Sequence, residues 1–135
     1  GLIFHNAGGS GAAWEGQFYN SVKQHCKIYA GGRSQDSFLE LGGVRMITAQ
    51  AGQPHQGGST GTGGPGGVLT VNGALQIVSQ RVASNGIQGA RGAHNEDPTP
   101  SVCSLNNWGQ GSWTHDDNPG WIAGGAKFQY IRLDK

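Results

Sequence analysis

The chain has 135 residues, 26 of them glycine, with nine basic and eight acidic side chains and a formal net charge of +1. Glycine costs about 1 kcal/mol per interior helical position relative to alanine, which excludes long helices, and so few charges exclude a chain held open by self-repulsion. No 18-residue apolar run is present to span a membrane as a helix, and Gly86, Gly89 and Gly92 keep a spacing of three too briefly for collagen. A single loop-rich all-β domain over residues 1–135 is expected. Its thin apolar inventory points to help from crosslinking or oligomerisation. No basic-then-apolar leader opens the sequence, so an export signal is expected to have been removed or to belong to a longer parent.

In chain order, residues 2–5, 17–19 and 27–29 read as short strands, and residues 14–22 are the best helix candidate. Next come Phe38-Leu39-Glu40-Leu41 and Val44-Arg45-Met46-Ile47 around Gly42-Gly43, a dipeptide suited to a two-residue hairpin. That turn predicts Leu41 opposite Val44, Glu40 opposite Arg45, Leu39 opposite Met46 and Phe38 opposite Ile47, so charge meets opposite charge and apolar meets apolar. Residues 57–67 read GGSTGTGGPGG, a flexible loop or linker between two halves. A second hairpin is expected at Asn72-Gly73, the favoured type I′ pair, between residues 68–71 and 74–78. A last strand is expected over residues 128–133. These short elements predict a glycine-rich antiparallel sandwich, prism or fibre-like domain with long loops.

Two cysteines, Cys26 and Cys103, stand far apart and outside any CxxC motif. Two readings stand for them, a disulfide or a pair of unpaired buried thiols. The disulfide would close a loop of about 78 residues, contribute roughly 4 to 5 kcal/mol, and place the chain in an oxidising, extracellular setting.

Residues 57–61 match GxSxG and residues 61–66 match GxGxxG, but neither has the strand and helix that its chemistry requires, and glycine density accounts for both. His94, Glu96 and Asp97 form one cluster of metal-ligand types, and His115, Asp116, Asp117 and Asn118 form another, whose oxygens suit Ca²⁺. The competing reading is two solvated turns, since Pro98 and Pro119-Gly120 follow directly. No cofactor is expected.

The strongest chemical signal is Trp108, Trp113 and Trp121, interleaved with Asn107, Asp116, Asp117 and Asn118. A sugar presents an apolar C–H face and a rim of hydroxyls, which calls for a flat ring beside carboxylates and amides. The same rings would equally serve as a small core, and both readings stand. Nucleic acid is not the expected ligand, because base-stacking aromatics normally line a basic groove and this segment is acidic.

Residues 1–6, 28–33 and 67–77, with the phrase LTVNGALQI, resemble the C-terminal receptor-binding parts of bacteriophage tail fibres. They are also similar to the tip adhesins of conjugative type IV pili of the PilV shufflon kind. The resemblance implies a distal domain on a virion or pilus surface that recognises bacterial polysaccharide or lipopolysaccharide, as a homotrimer or within a larger fibre. The expected function is therefore non-catalytic glycan recognition without membrane insertion. A structural subunit of a pilus, fibre or capsid is the alternative, and a polysaccharide-degrading enzyme using Glu96/Asp97 and Asp116/Asp117 is the second.

Overall fold

The computed structural model describes residues 4–6, 9–32, 35–53, 64–89 and 91–94. They form eight strands: β1 (Phe4–Asn6), β2 (Ala13–Tyr19), β3 (Cys26–Tyr29), β4 (Ser37–Leu41), β5 (Val44–Ala49), β6 (Leu69–Val71), β7 (Gln76–Ser84) and β8 (Arg91–His94). All pairings are antiparallel, in one four-stranded sheet of order β3-β4-β5-β6 and two ribbons, β1-β8 and β2-β7. The domain is all-β as expected, and no helix occurs among the described residues.

Alternation builds the core. Side chains two apart on a strand share a face, so Cys26 and Ile28 line up with their partners Leu41 and Leu39 on one side of the sheet. Leu39, Leu41 and Ile47, with Leu75 from the turn before β7, are buried, and Trp14, Phe18, Met46, Leu69 and Val71 pack against them.

The Gly42-Gly43 hairpin forms, with φ of +59° and +80° at its two glycines, and Leu41 faces Val44 and Glu40 faces Arg45 as expected. Beyond these pairs the register shifts: Leu39 faces Ile47 and Phe38 faces Thr48, so Met46 is an extra residue in β5. The reason is burial. Without the bulge, Ile47 would turn to the outer face; with it, Ile47 joins Leu39 and Leu41 in the core.

Two other expectations are corrected. Asn72-Gly73 lies in a turn, closed by the Leu75 N–H donating to the Asn72 carbonyl (3.1 Å) and the Ala74 N–H to Asn72 Oδ1 (2.9 Å). Gly73 does not take a positive φ, and the flanking strands do not pair: β6 joins β5 while β7 joins β2. Residues 14–22 are not helical. Residues 13–19 alternate in exposure along β2, and the Trp14 indole lies over Gly16, where a Cβ would collide with the ring. Trp14 Nε1 donates to Gln80 Oε1 across the ribbon (2.7 Å).

Residues 64–67, the end of the glycine run, are packed in place. They meet residues 9–12, 50–53 and 86–89 in a backbone junction. Ser10, fully buried, donates its N–H to the Ile87 carbonyl (3.0 Å), accepts the Ile87 N–H on Oγ (2.8 Å) and accepts the Gly67 N–H on its carbonyl (2.9 Å). A Cβ on Gly9 would collide with the Pro65 carbonyl, one on Gly67 with that of Gln50, and one on Gly86 with that of Ser10. None of these glycines takes a positive φ, so space demands them rather than backbone angle. The remainder of the run, and the expected strand over 128–133, lie outside the described residues.

Gly86→Ala is expected to destabilise the domain by about 3 kcal/mol or more, as overpacking against backbone. Gly73→Ala, with nothing within 4 Å, is expected to be neutral or to stabilise by a few tenths to about 1 kcal/mol. Denaturant unfolding of the two variants reads the contrast.

Candidate functional site

The outer face of the four-stranded sheet gathers side chains that the core does not use. Cross-strand partners share a face, which sets Tyr29, Phe38 and Thr48 in one row, extended to Thr70 on β6, and Lys27, Glu40 and Arg45 in the next. Tyr29 and Phe38 stack at 5.2 Å between ring centroids. The Arg45 guanidinium lies 3.6 Å over the Phe38 ring, and Lys27 Nζ stands 5.8 Å from the same centroid. Arg45 Nε reaches Glu40 Oε2 at 3.5 Å and its Nη1 reaches Thr48 Oγ1 at 3.4 Å.

Two hollows border this sheet, and both include Met46 in their lining. One, of about 170 Å³, is lined by Arg45, Met46, Thr48, Thr70 and Asn72. The other, of about 230 Å³, has an apolar floor that includes Leu41, Met46 and Leu75. Around it stand Tyr19, Asn20, Ser21, Gln24 and Gln76. Tyr19 is half exposed. The rim is held in shape by Asn20, whose Nδ2 donates to the Gln24 carbonyl (2.6 Å) and whose Oδ1 accepts the Gln24 N–H (3.0 Å). Enclosed small-molecule pockets run to about 300–1,000 Å³, so each hollow suits one ring or substituent of a larger ligand.

The carboxylates described here are already engaged. Glu15 pairs with Arg81, Asp36 accepts the Ala51 N–H (3.0 Å) and Glu40 meets Arg45. Among the described residues no three His, Cys, Asp or Glu side chains gather to hold a metal. Of the residues singled out from sequence, His94 ends β8 with its backbone opposite Phe4. Trp108, Trp113, Trp121, Asn107, Asp116, Asp117, Asn118, Glu96, Asp97 and His115 lie outside the described residues. The Tyr19 hollow was missed, although the pattern of ring beside amide and hydroxyl that singled out the tryptophans is present in Tyr19-Asn20-Ser21 and Gln24.

Cys26 lies half-buried against the core with no disulfide partner among the described residues, and Cys103 lies outside them. Burial pushes the Cys26 thiol up. The stability this contributes is present below the ordinary thiol range and is lost as pH rises through it toward the folded value. Compared with known proteins, the chain matches no family model, no curated protein and no solved structure.

Because the thiolate is the reactive form, iodoacetamide at pH 8 is expected to label Cys26 more slowly in the native protein than in denaturant. Mass spectrometry reads the rates, and absence of any label in denaturant without reductant would reveal a bond to Cys103 instead.

Proposed function

We propose that this chain is a non-catalytic recognition domain that binds glycan on a bacterial surface, displayed outside the cell on a virion or pilus. The observation that carries the reading is the Tyr19 hollow: a half-exposed ring beside an apolar floor, rimmed by two hydroxyl or amide groups on the β2-β3 connection and by the amides of Gln24 and Gln76. A pyranose fits such a place by laying its C–H face against Tyr19 and the floor while its hydroxyls meet amides that both donate and accept. The neutral rim suits polysaccharide or lipopolysaccharide sugars, and the tryptophan segment 108–121 would extend the same chemistry.

A second reading, a structural subunit of a homotrimer, fibre, pilus or capsid, draws on β7, where Ile77 and Val78 are exposed on a two-stranded ribbon. Open-ended assembly seen by electron microscopy, without affinity for any glycan, would favour it.

Calorimetric titration with oligosaccharides released from bacterial lipopolysaccharide tests the first reading. Tyr19→Ala is expected to weaken binding about tenfold or more, roughly 1.4 kcal/mol, with an unchanged unfolding midpoint. Wild-type affinity in Tyr19→Ala, with loss in the Trp113→Ala, Asp116→Ala double variant, would move the site to the tryptophan segment.

A further inference from the structure

We infer that the hollow floored by Leu41, Met46 and Leu75 receives a methyl group, so that the glycan recognised is neutral and carries an acetamido or a 6-deoxy unit in place of a bare hydroxyl sugar. This rests on the glycan reading above and names its ligand class.

The observation that carries it is Val22. It stands third in the turn Asn20-Ser21-Val22-Lys23, closed by the Lys23 N–H donating to the Asn20 carbonyl (3.1 Å). Turns favour Gly, Pro, Asn, Asp and Ser, and a stiff β-branched side chain gains nothing there. Nor does the core use it, because Val22 is 70% exposed. Yet Val22 lines the hollow together with Leu41, Met46, Ala74 and Leu75. A single exposed apolar side chain is ordinary, whereas one that continues an apolar floor out to the rim offers contact area to whatever enters.

Val22 is also held in place from both sides. Asn20 bonds the Gln24 backbone twice through its side-chain amide, and the Gly42 N–H donates to the His25 carbonyl (2.8 Å), which seats the loop on the hairpin turn. The Gln24 side chain rests on that turn as well: a Cβ on Gly42 would come within 3.1 Å of its amide carbon. A ligand therefore has little loop ordering to offset.

The lining selects the chemistry of the occupant. Its polar members are Asn20, Ser21, Gln24 and Gln76, and none of the described residues that line the hollow carries a charge. An ionised substituent would leave water there without gaining an opposite charge. A hydroxyl pressed onto the floor would lose its water partners without replacement, while a methyl gains by leaving water. At the rim, amides both donate and accept, which suits ring hydroxyls or the N–H and carbonyl of an acetamido group. The space of about 230 Å³ is below that of enclosed ligand pockets, so it suits a substituent with part of its ring.

The test titrates the full chain calorimetrically with three neutral probes: a β-1,4-linked glucose tetramer, its 2-acetamido counterpart and its 6-deoxy counterpart. A methyl-bearing probe is expected to bind about fivefold or more tighter than the glucose tetramer, and the tighter of the two identifies the source of the methyl. Val22→Ser is expected to erase that preference with an unchanged unfolding midpoint, and Val22→Ile to keep it. Equal affinity for the three probes, or a preference that survives in Val22→Ser, overturns the methyl site and leaves the glycan reading standing. Binding of none of the three also overturns the methyl site, and the glycan reading is then decided separately by the lipopolysaccharide oligosaccharides.

Discussion

Everything described depends on one buried serine and the backbone that closes around it. Ser10 has no exposed surface, and its N–H, carbonyl and hydroxyl oxygen are all hydrogen-bonded to the backbone of two other segments, at Gly67 and Ile87. An unpaired polar group there would cost about 1–3 kcal/mol, so residues 9–12, 64–67 and 86–89 must arrive together. Residues 50–53 complete the set through the Ala12 N–H on the Gln50 carbonyl and the Gln53 N–H on the Pro65 carbonyl. Side chains would hold these segments apart, and glycine at positions 9, 52, 66, 67 and 86 is what permits the contact. A chain with few large apolar residues thus gains cohesion from backbone hydrogen bonds in place of a larger core.

The junction also decides where recognition is placed. It gathers the start of β2, the exit of β5, the entry of β6 and the exit of β7. Tyr19 is the last residue of β2, Gln76 the first of β7, Leu41 precedes the hairpin turn and Asn72 follows β6. The Tyr19 hollow therefore lies at the strand ends away from the junction, while the Arg45 hollow runs along β5 and β6 as far as Thr48 and Thr70.

Legibility in sequence followed the range of each signal. Glu40 opposite Arg45 was readable because two glycines with positive φ close a two-residue turn, and the nearest pairs follow from it. The turn at Asn72-Gly73 was equally local, yet turn chemistry says nothing about which strand each arm will join, and the arms went to different sheets. Residues 14–22 misled because a tryptophan, a phenylalanine and a valine at spacings near four imitate a helical stripe. The strand is set instead by long-range pairing with β7 and by Gly16 beneath Trp14. Composition reports the entropy of an isolated chain and does not show that residues 64–67 are held by partners as distant as Gly9 and Gly86. The Tyr19 hollow is built from β2, β4, β5 and the turn before β7, and only its rim from Tyr19 to Gln24 is contiguous enough to be noticed in sequence.

Met46 joins the fold to the site. In an unbroken hairpin it would stand opposite Leu39, with Ile47 turned outward; the extra residue reverses this and gives the core the β-branched side chain that fits a pleated sheet. Met46 packs against the core and lines both hollows, with its carbonyl accepting the Asn72 N–H at 2.7 Å. A substitution that restored regular pairing in β5 would disturb core and site together, because in this sheet they are set by one register.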